Sequence, residues 1–149
     1  SQGKLIYSIG YADGSDGITG VPSGEIEILP TLAGDAKLQG NVVFGDFQLL
    51  AQYFGQAGAS WDEGDFTYSG TTNFGDFQLL AQDFGANSSG LTGAEMASLD
   101  QFATQFGDRL FANSNGIGFQ IVSVPEPAAV AAVATMAMAV FSRRRRKRT

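Results

Sequence analysis

Nine residues, Phe44-Gly45-Asp46-Phe47-Gln48-Leu49-Leu50-Ala51-Gln52, return unchanged 30 positions later as Phe74 to Gln82. The likeness extends beyond that block. Gly34-Asp35 aligns with Gly64-Asp65, Gly40 with Gly70, and Phe54-Gly55 with Phe84-Gly85. A chain built this way must place two copies of one supersecondary unit so that neither leaves its apolar side in water. Within the first copy Phe47, Leu50, Ala51 and Phe54 recur at the spacing of one helical face, and Gly55 stops the helix; the second repeats this with Phe77, Leu80, Ala81, Phe84 and Gly85. Two helices from Asp46 to Phe54 and from Asp76 to Phe84 are expected, packed antiparallel with Phe47, Leu50, Phe77 and Leu80 inside. Trp61, the chain's only tryptophan, lies in the linker between them. It is expected to seal the small core, with ligand recognition as the alternative.

The segment before each helix has the spacing of a calcium loop, in which oxygen ligands fall at the first, third, fifth, seventh, ninth and twelfth places and glycine at the sixth. From Asp65 to Asp76 the places are filled by Asp65, Thr67, Ser69, Gly70, Thr71 through its carbonyl, Asn73 and Asp76. Only two carboxylates serve this loop, so the expected calcium site is weak. From Asp35 to Asp46 the loop keeps Asp35, Gln39, Gly40, Asn41 and Asp46, but Lys37 stands at the third place, where an ammonium opposes the ion. That loop is expected to be degenerate.

Two loop-plus-helix units of the form Gly-Asp-x4-Gly-x5-Asp, with no helix ahead of the loop, resemble a type I dockerin tandem, itself EF-hand-like. The resemblance covers Gly34 to Gly85. It implies that calcium orders the helices and that residues just before the last loop ligand, here Phe44, Gly45, Phe74 and Gly75, contact a cohesin-like partner or dock intramolecularly. Lys37, Thr67, Ser69 and the two Phe-Gly pairs depart from that family's usual residues.

The C-terminus reads as an address. Val124-Pro125-Glu126-Pro127 is followed by an apolar run from Ala128 to Phe141 and then by Arg143, Arg144, Arg145, Arg146, Lys147 and Arg148. The prolines bar helix through the hinge, the apolar run suits a bilayer, and the cationic cluster stops transfer and favours the cytoplasmic leaflet. This order resembles the PEP-CTERM sorting signal of bacterial envelope proteins, with Pro125, Glu126 and Pro127 as its tripeptide. The resemblance implies a C-terminal transmembrane helix inserted in the inner membrane with its end cytoplasmic. It also implies an exosortase-type transpeptidase that removes the helix, leaving the protein displayed or released outside. At about 1.5 Å per residue the run spans ~21 Å against ~30 Å of hydrocarbon, which suits a transient anchor. A permanent, weakly held anchor and an arginine-rich nucleic-acid patch are the alternatives.

All 15 acidic residues lie at or before Glu126, opposed there only by Lys4, Lys37 and Arg109. Such a surface repels nucleic acid and suits cations. The chain has neither cysteine nor histidine, so disulfides, thiolate and imidazole metal sites, and Ser-His-Asp catalysis are excluded. No carboxylate pair has a recognisable acid/base context, and no enzymatic activity is expected. Ser1-Gln2-Gly3-Lys4 opens no signal peptide, which reads as the C-terminal part of a longer exported protein.

The flanks of the tandem complete the expected plan. Leu5, Tyr7, Ile9 and Tyr11 alternate at strand period, as do Ile26 and Ile28; Asp13 to Gly17 between them reads as a turn, with calcium binding the alternative. Thr92 to Glu95 has the form of a capping box ahead of an amphipathic stripe of Met96, Leu99, Phe102, Ala103 and Phe106, ended by Gly107; Phe119, Ile121 and Val122 suggest a last strand. The expected fold is mixed but mainly α. Its parts are residues 1–30 as the end of a β-rich domain, 31–88 as the tandem, 89–123 as a helix and short strand, and 124–149 as the sorting tail. The expected function is an exported, surface-sorted, non-catalytic binding or attachment module. The alternative is the end of a secreted polysaccharide-degrading or carbohydrate-binding protein.

Overall fold

The computed structural model describes residues 4–87 and 92–125. Strands β1 (Tyr7–Asp13) and β2 (Ile26–Leu32) form an antiparallel ribbon in which Tyr7 faces Leu32 and Asp13 faces Ile26. The repeats contribute helices α1 (Phe44–Tyr53) and α2 (Phe74–Asp83), separated by a single 3-10 turn at Trp61–Glu63. Helix α3 (Gly93–Thr104) and a second antiparallel ribbon of β3 (Asp108–Ala112) and β4 (Phe119–Ser123) follow.

The two repeats are joined by reciprocal contacts. The Gly55 amide at the end of α1 donates to the Thr72 carbonyl of the second loop at 2.7 Å, and the Gly85 amide at the end of α2 donates to the Val42 carbonyl of the first at 2.8 Å. Gly34 and Gly64 explain how close the approach is. A Cβ on Gly34 would lie 2.7 Å from Leu80 Cα, and one on Gly64 would lie 2.8 Å from Leu50 Cα, so each loop rests its backbone on the other repeat's helix. Both residues have positive φ, which only glycine adopts without strain. Leu50, Phe77 and Leu80 are fully buried and Phe47 nearly so, with Phe47 and Phe77 meeting edge-on at 6.0 Å.

Helix α3 closes this interface from outside the tandem. The Thr92 hydroxyl accepts from the Glu95 amide while the Glu95 carboxylate accepts from the Thr92 amide at 2.8 Å, the reciprocal cap that its sequence announces. Phe102 then stands edge-on to Phe47 at 5.4 Å and to Phe54 at 5.1 Å and lies 4.9 Å from Phe77, touching both repeats. The ribbon β3–β4 packs on α3 and, of the two repeat helices, chiefly on α2. Ala81 is therefore buried while its repeat equivalent Ala51 is exposed, and Phe84 meets Phe119 at 5.9 Å. Tyr7, Ile9, Ile26 and Ile28 leave one face of the first ribbon apolar and exposed.

The expectation of a mainly α protein with a C-terminal membrane helix is corrected. Among the described residues, helices of ten, ten and twelve residues share the fold with four strands in two separate sheets. Among the described residues no helix is long and apolar enough to cross a membrane. The longest, α3, spans about 18 Å at 1.5 Å per residue, well short of the ~30 Å hydrocarbon core. The run Ala128 to Phe141, Glu126, Pro127 and the cluster Arg143 to Arg148 lie outside the described residues, and Pro125 is exposed.

Candidate functional site

The two loops fold alike because the same side chains tie the same amides. Asp35 is fully buried and accepts from the Gln39 amide at 3.0 Å, the Gly40 amide at 2.7 Å and the Thr31 hydroxyl. Asp65 accepts from the Ser69 amide at 2.9 Å, the Gly70 amide at 2.7 Å and the Thr67 hydroxyl at 3.2 Å. At the twelfth place, Asp46 spans the Lys37 amide at 3.1 Å and the Val43 amide at 2.9 Å; Asp76 spans the Thr67 and Asn73 amides, both at 2.8 Å. Leu38 and Tyr68, equivalent non-glycine residues, both turn into left-handed backbone to close the loop. The first and last carboxylates thus brace each loop before any ion is considered.

The remaining candidate ligands differ between the copies. In the second loop Ser69 and Thr67 point their hydroxyls at Asp65, the Thr71 carbonyl accepts from Ser69 and from Asn73 Nδ2, and Asn73 Oδ1 caps α2 by accepting from the Gly75 amide at 2.8 Å. In the first loop Gln39 is exposed, and Asn41 Oδ1 is buried without a hydrogen-bond partner. Lys37 reaches back over the start of α1, its Nζ 2.6 Å from where a Cβ on Gly45 would sit. Its charge still favours ionised Asp46.

Both loops offer oxygens of the kind a hard cation takes, those of the second already engaged in hydrogen bonds within the loop. Asp35, Asn41 and Asp46 would hold it in the first, and Asp65, Thr67, Ser69, Thr71, Asn73 and Asp76 in the second. An ion would supply the charge that buried carboxylates lack. Among the described residues no group of three or more His, Cys, Asp or Glu gathers, so each loop depends on two carboxylates.

Phe44, Gly45, Phe74 and Gly75 are half-buried. Phe74 stacks on Phe106 at 4.8 Å, whereas Phe44 packs on Phe47 at 5.5 Å. Beside the first loop a depression of about 460 Å³ is lined by Lys37, Gly45, Gln48, Gln52, Tyr53 and Ile18. The repeat's departures had more to say than its identities. Asp83 replaces Tyr53 at the end of the second helix and is fully buried; its carboxylate accepts from the Ile6 amide at 3.0 and 3.1 Å, tying the N-terminal segment to α2. That single mismatch at matched positions was the available signal.

Burial pushes Asp46 up to about 7; the Val43 amide opposes this, the charge of Asp35 adds to it, and Lys37 opposes it. Burial also pushes Asp83 up to about 6 against the Ile6 amide, and Asp62 up to about 6. Each of these carboxyls holds its proton more tightly folded than unfolded. The folded state therefore gains protons as pH falls from about 7 to about 4, and stability rises through that window. The cost of the charged forms is fully present above it. Without calcium, the melting midpoint at pH 5 is expected to exceed that at pH 8. Asp13, Glu95 and Asp100, whose carboxyls are held low by hydrogen bonds, act oppositely at lower pH. Circular-dichroism melts in chelator check this, and a midpoint that falls between pH 8 and pH 5 contradicts it.

Compared with protein-family models, curated proteins and solved structures, the chain matches none.

Proposed function

We propose that the protein is a non-catalytic attachment module whose two braced loops take up calcium and thereby fix a pseudo-twofold face for a partner. The observation that carries the reading is the duplicated hydrogen-bond plan: Asp35 and Asp65, and Asp46 and Asp76, tie equivalent amides at equivalent distances. Two like loops on reciprocal helices present two like surfaces, as recognition by a cohesin-like partner or docking within the parent chain would use. The depression beside Gly45 offers the first of these surfaces a mixed floor, with Lys37, Gln48 and Gln52 beside Ile18, Leu49 and Tyr53. Pro125-Glu126-Pro127 would direct the module to the bacterial envelope as a sorting signal read by an exosortase-type transpeptidase.

Calorimetric titration of the full chain with calcium chloride tests the loops. The second loop is expected to bind first, with a dissociation constant of roughly 10⁻⁴ to 10⁻³ M, because Lys37 competes with the ion in the first. Asp65→Asn should weaken that phase at least about tenfold, and Asp35→Asn should leave it in place. Two equal, tight sites, or no heat at all, would refute the reading. The sorting step has its own readout: intact mass of the protein from a host with the cognate transpeptidase should show a chain ending near Pro125-Glu126-Pro127. Recovery of chain through Arg148 would exclude processing.

A further inference from the structure

The connection between β1 and β2 carries Asp16, and the 3-10 turn between the repeats carries Asp62. Asp62 is fully buried. The Ser60 hydroxyl donates to its Oδ1, but its Oδ2 is enclosed and has no hydrogen-bond partner. The charged group that acts on it is another acid, Asp16, whose side chain lies within hydrogen-bonding reach. Asp16 is itself exposed and held by the Ile18 amide, which donates to its Oδ1 at 2.9 Å. The bases among the described residues are Lys4, which is exposed, Lys37, which lies along Gly45, and Arg109, which pairs with Asp100 at 3.2 Å.

A buried carboxylate oxygen with no donor, facing a second carboxylate, is costly unless a proton or a cation joins them. Burial raises the Asp62 carboxyl against the Ser60 hydroxyl, and the charge of Asp16 adds to the cost of ionising it. A cation held between the two carboxylates would satisfy the orphaned oxygen and offset that cost. Carboxylate and hydroxyl oxygens select hard ions of the calcium class over thiolate- or imidazole-seeking metals. The same β1–β2 connection holds another buried, unpartnered oxygen, Thr19 Oγ1.

We propose that Asp62 and Asp16, with the Ser60 hydroxyl, form a third site for a calcium-class cation, separate from the two repeat loops, which clasps the β1–β2 connection to the turn at Trp61–Glu63. This site does not depend on the loop reading. Its function is mechanical: the ion turns a repulsive contact between distant segments into a tie, so that the N-terminal ribbon holds against the tandem when calcium is present.

The test is the melting midpoint of the full chain in chelator and in about 10 mM calcium chloride near pH 7.5, with both loops first weakened by Asp35→Asn and Asp65→Asn. In that background calcium is expected still to raise the midpoint, by roughly 3 to 8 °C. Adding Asp62→Asn or the exposed change Asp16→Asn should remove that rise. In chelator Asp62→Asn should melt no lower than its parent, since it deletes a buried, uncompensated charge. A calcium response that survives both changes overturns the site. So does a background that ignores calcium but gains stability on acidification in a manner lost with Asp16→Asn, because the two acids then share a proton. If instead weakening the loops leaves the whole response intact and Asp62→Asn abolishes it, the loop reading fails and this site stands.

Discussion

Trp61→Ala is expected to destabilise the fold by about 3 to 5 kcal/mol, a large part of what a domain of this size holds. The ring is fully buried, stands edge-on to Phe66 at 5.0 Å and lies 5.6 Å from Tyr68. Its Nε1 donates to the Asp35 carbonyl at 2.8 Å, so one side chain links the turn before the second loop to the backbone of the first. It also faces the first ribbon, where a Cβ on Gly10 would lie 2.9 Å from Nε1. Removal opens a cavity at the junction of three segments and leaves a buried carbonyl unpaired, which adds to the cost. Trp61→Phe separates these contributions, since it keeps much of the volume and loses the hydrogen bond. Urea denaturation followed by circular dichroism gives both values. A Trp61→Ala protein as stable as the parent would mean that the ring serves a ligand rather than the core.

Leu80→Ala is expected to cost about 2 to 5 kcal/mol. Leu80 is fully buried, and the first loop's backbone rests on it at Gly34. The surrounding structure cannot collapse into the vacated space without moving that loop, which favours the upper part of the range. Leu50→Ala, the equivalent change beneath Gly64, should behave similarly. Gln78→Ala, two residues earlier on the exposed side of the same helix, should change stability by less than about 0.5 kcal/mol. A midpoint untouched by Leu80→Ala would mean that the helices do not bury each other and instead await a partner.

Much of the local structure was legible because its causes are local. The i, i+3, i+4, i+7 spacing of Phe47, Leu50, Ala51 and Phe54 marked a helix, although α1 and α2 begin at Phe44 and Phe74, two residues ahead of the expected starts. The starts moved because the twelfth-place aspartates act as third helical residues and accept from the amides of Val43 and Asn73. Thr92 and Glu95 announced their cap within four residues of chain. Strand β3 was not legible: Asp108-Arg109-Leu110-Phe111-Ala112 is short and carries two charges, and it is a strand because β4 pairs with it. The expected span from Ala128 to Phe141 has no counterpart among the described helices, where burial is achieved by short helices and ribbons packed on one another.

By itself, the sequence determined that two like units exist, where their loops and helices fall, and which carboxylates close each loop, because a repeat, a cap and a turn are set by neighbours along the chain. Only the tertiary structure decided that Ala81 is covered and Ala51 is not, that Phe102 from a third helix bridges both repeats, and that Asp83 and Asp62 are buried. Identical sequences acquire different surroundings when the two ribbons dock against different elements. Burial, and with it the cost of each charge, is a property of those distant contacts.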